Sequence, residues 1–119
     1  MANVLVVDDA AFMRMNIQQM LERNGHTVIG QAMDGEEAVA KFSSLKPDVV
    51  LLDITMPKMD GIEALRQIKT INPKAKVIIC SAAGQQSMVT KAVEYGAETF
   101  IVKPFTEERL MQAVDKVMQ

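Results

Sequence analysis

The sequence predicts an α/β domain in which a parallel sheet is covered by helices on both faces. Three observations predict it. Short runs rich in Val, Ile and Leu recur five times along the chain, and four of the five end in a polar residue. Between them lie stretches with apolar residues three and four positions apart. Gly, Pro, Asp or Thr stands where each of these stretches should start or stop. A short uninterrupted apolar run reads as a strand buried on both sides, as strands of a parallel sheet are.

The chain is organised around Val49-Val50-Leu51-Leu52-Asp53, with Pro57 four residues beyond the aspartate. Asp53 stands where this strand leaves the sheet, at the carboxyl edge where open α/β folds carry their chemistry. Val4-Leu5-Val6-Val7 is a second such run and leads into Asp8-Asp9. Met13, Ile17, Met20 and Leu21 then share one helical stripe, and Asn24-Gly25 ends it in a left-handed stop. Thr27-Val28-Ile29 is a short strand. Asp34 caps the next helix with Glu37 three positions on; Val39, Phe42 and Leu45 are expected to face inward, and Pro47 closes the segment.

After the Asp53 strand the cap pattern recurs at Asp60-Gly61-Ile62-Glu63, with Ile62, Leu65, Ile68 and Ile71 on one stripe up to Asn72-Pro73. Val77-Ile78-Ile79-Cys80 ends in Ser81. A helix carrying Met88, Val89, Ala92 and Val93 stops at Gly96, with Met88 the methionine expected at the surface. Phe100-Ile101-Val102 ends in Lys103-Pro104, and Thr106 caps a last helix with Leu110, Val114 and Val117 inside. Strand and helix alternate five times. Right-handed crossovers leave few topologies for such a chain, and the expected one is a flavodoxin-like, doubly wound, five-stranded parallel sheet of order 2-1-3-4-5. No linker or repeat is left over, so residues 1–119 are read as one domain.

Composition narrows the function. Nearly half of the 119 residues are apolar, about a quarter are charged, and the net charge of −2 offers no basic field for nucleic acid or an anionic membrane. No apolar run is long enough to span a bilayer, and Met1-Ala2-Asn3 runs straight into a strand without a secretory leader. The single Cys80 fits a reducing cytoplasm and reads as a buried, inert thiol. His26, the single histidine, has no second His or Cys to make a metal site.

The chemistry gathers at the strand ends. Asp8 and Asp9, Asp53, Ser81 and Lys103 follow the first, third, fourth and fifth strands, and in a parallel sheet these ends share one edge. Three carboxylates in one cleft raise one another's pKa unless a cation intervenes. Oxygen ligands of this kind suit Mg²⁺, which keeps several waters and is often completed by phosphate oxygens. A lysine and a hydroxyl beside them are groups that hold such oxygens, and a carboxylate can itself be the nucleophile that forms an aspartyl phosphate. The bland alternative, unrelated polar residues capping loops, has to explain why four of five strand ends carry them.

With these residues in view, the chain resembles a response-regulator receiver domain over its full length. Asp8-Asp9, Asp53, Ser81 and Lys103-Pro104 fall in that family's order. The surrounding stretches Asp8-Asp9-Ala10-Ala11-Phe12-Met13-Arg14, Asp53-Ile54-Thr55-Met56-Pro57 and Cys80-Ser81-Ala82-Ala83-Gly84-Gln85-Gln86 are similar to its chemotaxis members. The resemblance implies that Asp53 accepts a phosphoryl group from a histidine kinase. It implies that Asp9, Asp53 and the backbone carbonyl of Thr55 bind Mg²⁺, with Asp8 acting through water. Ser81 and Lys103 would hold the phosphoryl oxygens, and the Lys103–Pro104 bond is expected to be cis.

Phe100 stands at the position of the family's rotating aromatic, here without a hydroxyl. The same resemblance implies a cytoplasmic, monomeric switch that acts by binding a partner, the flagellar motor switch, with a phosphatase to end the signal. The partner surface would be the face of the fourth helix, fifth strand and fifth helix, with Ala83, Met88, Lys91, Tyr95 and Phe100 together reshaped on activation. A phosphorelay intermediate is the near alternative. A small Mg²⁺-dependent aspartyl-phosphate phosphatase is the distant one, because the acid such enzymes place two residues after the nucleophile is here Thr55.

Overall fold

The computed structural model describes residues 1–119. Five strands alternate with five helices: β1 (Asn3–Val7), α1 (Ala11–Arg23), β2 (Thr27–Ala32), α2 (Gly35–Leu45), β3 (Val49–Asp53), α3 (Gly61–Ile71), β4 (Lys76–Ser81), α4 (Gln86–Glu94), β5 (Thr99–Val102) and α5 (Glu107–Met118). The strands form one parallel sheet in the order β2-β1-β3-β4-β5, as expected. A parallel sheet needs cover on both faces, and two apolar clusters supply it. One joins Leu5, Val50, Leu52 and Ile79 to Phe42, Leu65 and Ile68 of α2 and α3. The other joins Val4, Val6, Leu51 and Ile78 to Ile17 and Leu21 of α1 and to Leu110 and Val114 of α5.

The helix ends follow the predicted chemistry. Asp34 accepts from Glu37 N at 2.8 Å, Asp60 from Glu63 N at 2.9 Å and Thr106 from Arg109 N at 3.1 Å, so three helices open on a side-chain oxygen. Gly25 closes α1 at φ +84°; its N–H donates to Glu22 O while His26 N donates to Leu21 O, the paired bonds of a Schellman stop. Pro47 is not what stops α2, because Lys46 already turns left-handed at φ 51°.

Leu45, expected to face inward, is 40% exposed, and Ile71, at the end of its apolar stripe, is 48% exposed; Val93 of α4 is 50% exposed. Leu45 and Ile71 are the last residues of their helices, where the apolar stripe has run past the edge of the sheet, and Leu45 instead lies against Gly30 of the edge strand. Strand β2 runs to Ala32, three residues beyond its apolar start, because it pairs with all of β1. Met88 is half-buried against the α2–α3 cluster.

Candidate functional site

All five residues of β3 are buried, and Asp53 is its last. Its neighbours are set by register. Val7 pairs with Leu52, so Asp8 leaves β1 beside Asp53, and Asp53 pairs with Cys80, one residue before Ser81. Lys103 N donates to Ser81 O at 2.7 Å, which carries the β4–β5 pairing one residue further and brings Lys103 to the same edge. Behind Asp53, Gly61 N donates to Ile54 O at 2.7 Å. A Cβ on Gly61 would lie 2.1 Å from the Asp53 carbonyl oxygen, so only glycine lets α3 start this close to the strand end.

One carboxylate oxygen from each of Asp8, Asp9 and Asp53 lies within 4.8 Å of the other two. Lys103 Nζ donates to Asp8 Oδ2 at 2.7 Å and stands 3.3 Å from Asp53 Oδ1. One ammonium thus reaches two of the three carboxylates. Asp8 and Asp53 are buried and Asp9 is exposed, so the cluster has protein behind it and water in front. Burial, helped by the charges of Asp8 and Asp9, pushes the Asp53 carboxyl up to about 6 against the pull of Lys103. Burial works against the Lys103 charge, but its bond to Asp8 and the two buried carboxylates prevail and its pKa is raised.

This donor set fits Mg²⁺. Three hard oxygen donors converge, one on the solvent side where metal-bound waters have room, and their mutual repulsion is only partly met by Lys103.

The remaining predicted residues fall around this cluster. Ser81 is buried at the end of β4. Thr55 is exposed two residues beyond Asp53. The Lys103–Pro104 bond is cis. Cys80 is buried, and burial pushes its thiol up to about 12, consistent with an inert side chain. His26 Nδ1 accepts from Ala2 N at 3.0 Å, away from any acidic group of the cluster.

Phe100 is 45% exposed and lines a groove of about 510 Å³ with Ser81, Ala83, Val89, Val93 and Val102. The face expected to unite Phe100 with Met88, Lys91 and Tyr95 is divided. Met88, Lys91 and Tyr95 line a separate cleft with Ile62 and Arg66 of α3. The reason is helical period: positions 88, 91 and 95 share one side of α4, while 86, 89 and 93 share the side toward β5.

Two contributors were not foreseen. Arg14 Nη1 donates to the carbonyl of Asp8 at 2.6 Å and its Nε to Gln31 Oε1 at 3.0 Å, which fixes the turn carrying the acidic pair. Gln85 donates to Thr55 Oγ1 at 2.9 Å and accepts from Ala82 N at 2.7 Å. Arginine and glutamine are ordinary in a surface pattern, and nothing in the spacing marks them. The one available signal was Gly84, which at φ +89° announces a tight turn beside Gln85.

The response regulator receiver domain model matches residues 4–115. The chain belongs to the response-regulator receiver-domain family. It is 54% identical over 114 residues to the chemotaxis protein CheY of Thermotoga maritima, covering 96% of this chain and 95% of that one. It is 52% identical over 115 residues to CheY of Bacillus subtilis, covering 97% and 96%. Among solved structures it is similar to the CheX–CheY–BeF₃–Mg²⁺ complex from Borrelia burgdorferi, at TM-score 0.94 and 43% identity over 98% of this receiver domain and 89% of that chain. The acidic cluster is the kind of pocket in which receiver domains bind Mg²⁺. No helix of this receiver domain is long and apolar enough to cross a membrane.

Proposed function

We propose that this receiver domain, residues 1–119 as one unit, is a chemotaxis response regulator that accepts a phosphoryl group on Asp53. The supporting observation is the cluster itself: three carboxylates within 4.8 Å and a lysine reaching two of them. The donor is a histidine kinase. An Asp53 carboxylate oxygen attacks phosphorus as the bond from phosphorus to the kinase imidazole breaks, and the electron pair leaves with the ring nitrogen. Asp53 has to be ionised for this, and a carboxyl raised to about 6 is largely ionised at neutral pH.

Asp9, Asp53 and the Thr55 carbonyl would hold Mg²⁺, with Asp8 acting through water. Bound there, the ion neutralises charge on the transferring group. Ser81 donates its hydroxyl proton to a phosphoryl oxygen and Lys103 pairs with another, exchanging part of its present hold on Asp8.

The readout is a change of partner affinity. A phosphoryl group adds nearly two negative charges and three acceptor oxygens. Inverting a 1:99 equilibrium needs about 5.5 kcal/mol, whereas one bond to a charged group supplies about 1.5–3 kcal/mol. Ser81 and Lys103 therefore share the work, and Phe100, which lines one groove with Ser81, is the side chain placed to register it. The partner is the flagellar motor switch, met on the α4–β5–α5 face by a monomer in the cytoplasm. The Borrelia relative solved with CheX and beryllofluoride supports a second partner of that kind here, a phosphatase that ends the signal.

Incubation with Mg²⁺ and acetyl phosphate, followed by mass spectrometry, tests the reading, with a pull-down against flagellar switch proteins as its second arm. One phosphoryl group per chain is expected on the wild type and none on Asp53→Asn. A fully modified Asn variant would overturn the assignment.

A further inference from the structure

Helix α4 opens differently from α2, α3 and α5. Its N-cap, Gln85, makes no side-chain capping bond. The Gln85 carbonyl accepts from both Met88 N and Val89 N at 3.0 Å, so its backbone is the first rung of the helix. The side chain is turned back to the sheet edge. Its oxygen accepts from Ala82 N at 2.7 Å, next to Ser81, and its nitrogen donates to Thr55 Oγ1 at 2.9 Å, two residues beyond Asp53. One primary amide therefore joins the loop after Asp53, the loop after Ser81 and the start of α4. Among the hydrogen bonds between side chains, this is the single link between the β3–α3 and β4–α4 loops. The strands behind these loops are tied by backbone pairing, ending with Ile54 N to Cys80 O at 3.2 Å. Beyond that bond, Gln85 alone crosses the gap.

We propose that Gln85 is a latch, a positioning residue that holds the β4–α4 loop and the first turn of α4 in the resting arrangement. This rests on the phosphoryl-acceptor reading of Asp53, because it is the movement of Ser81 toward a group on Asp53 that the latch opposes. Ser81 and Ala82 are adjacent, so a shift of Ser81 draws on the Ala82–Gln85 bond. Gln85 is also the N-cap, so release of its amide reaches α4 directly. A neutral hydrogen bond is weak enough to break in such a step and strong enough to bias it. Loss of the latch lowers the cost of activation and moves the unliganded protein toward the active arrangement.

Two variants test it. Gln85→Ala removes both bonds, and Thr55→Val removes the bond between loops while keeping the side-chain shape. Each is compared with wild type in amide ¹H–¹⁵N spectra, first without metal or phosphoryl mimic and then in a titration with beryllofluoride at fixed Mg²⁺. In the unliganded variants, the amides of Gln86, Ser87, Met88 and Val89 are expected to shift along the line from free to beryllofluoride-bound wild type. Half-saturation is expected at about three- to tenfold lower beryllofluoride. A merely structural loss would scatter those shifts off the line, and that result, unchanged spectra or weaker binding by both variants would overturn the latch. Failure of wild type itself to bind beryllofluoride would count against the acceptor reading instead, and with it the latch.

Discussion

The two halves of the sheet edge are built to different tolerances. Around β3 and α3 every strand residue is buried, α3 opens on the Asp60 cap, and Gly61 is pressed against the Asp53 carbonyl. Around α4 and β5 only Ile101 of the strand is buried, α4 lacks a side-chain cap at its start, and a Cβ on Gly84 would meet nothing within 4 Å. The tight half holds the carboxylate; the loose half carries exposed Val93, Phe100 and Val102. Chemistry that depends on position benefits from the first kind of construction, and a surface that has to change shape requires the second. Lys103 joins them, since it follows β5 in the chain yet makes its ion pairs with Asp8 and Asp53.

Removing that link should produce the largest effect. In metal-free protein, Lys103→Ala leaves Asp8 and Asp53 buried without their cation, a change expected to destabilise by about 3–5 kcal/mol. Thermal unfolding with and without Mg²⁺ checks it: the ion should restore part of the loss, and an unaltered melting temperature in chelator would remove Lys103 as the bridge between halves.

The glycines contrast the halves directly. Gly61→Ala forces a methyl group against backbone and should cost about 3 kcal/mol. Gly84→Ala meets open space and carries only the strain of φ +89°, about 1–2 kcal/mol. Denaturant midpoints at constant m-value give the ranking, and equal losses would mean that the edge is uniformly tight.

A third test uses pH. The Asp53 carboxyl is raised from 3.8 to about 6, so the folded state binds a proton that the unfolded chain has released. Stability from this group is present at low pH and is lost as pH rises through that window, by on the order of 2–3 kcal/mol. Asp53→Asn cannot titrate. The difference in stability between the Asn variant and wild type, measured in chelator, should therefore grow in favour of Asn from pH 4 to pH 7, and a flat difference would deny that burial strains the acceptor. The smallest effect belongs to the loose half: Val93→Ala, at an exposed position, should stay within about 0.5 kcal/mol. A loss above 2 kcal/mol would show that α4 packs more firmly than its exposure indicates.

Much of the acceptor half was readable in advance. Val49-Val50-Leu51-Leu52 is apolar on both faces because both faces are covered, and Asp34, Asp60 and Thr106 announce helix starts because a side-chain oxygen has to meet the free N–H groups there. Phe100-Ile101-Val102 looks alike in composition, yet β5 is an edge strand beside a helix of nine residues, and its outward positions stay exposed. An apolar run reports affinity for cover; it does not report whether cover arrives.

The amino-acid sequence by itself determined the order of the ten elements, the caps Asp34, Asp60 and Thr106, the stop at Gly25, and which strand ends carry Asp8, Asp9, Asp53, Ser81 and Lys103. These are local properties, written in periodicities of two and 3.6 and in the few residues that start or end a helix. Tertiary structure alone decided that Asp8 is buried while Asp9 is exposed, and which neighbour each side of α4 meets: α3 beside Met88 and Tyr95, β5 beside Val89 and Val93. It also decided that Gln85 reaches Thr55 thirty positions away. Each of these depends on register and crossing geometry between segments distant in the chain, which no local pattern encodes.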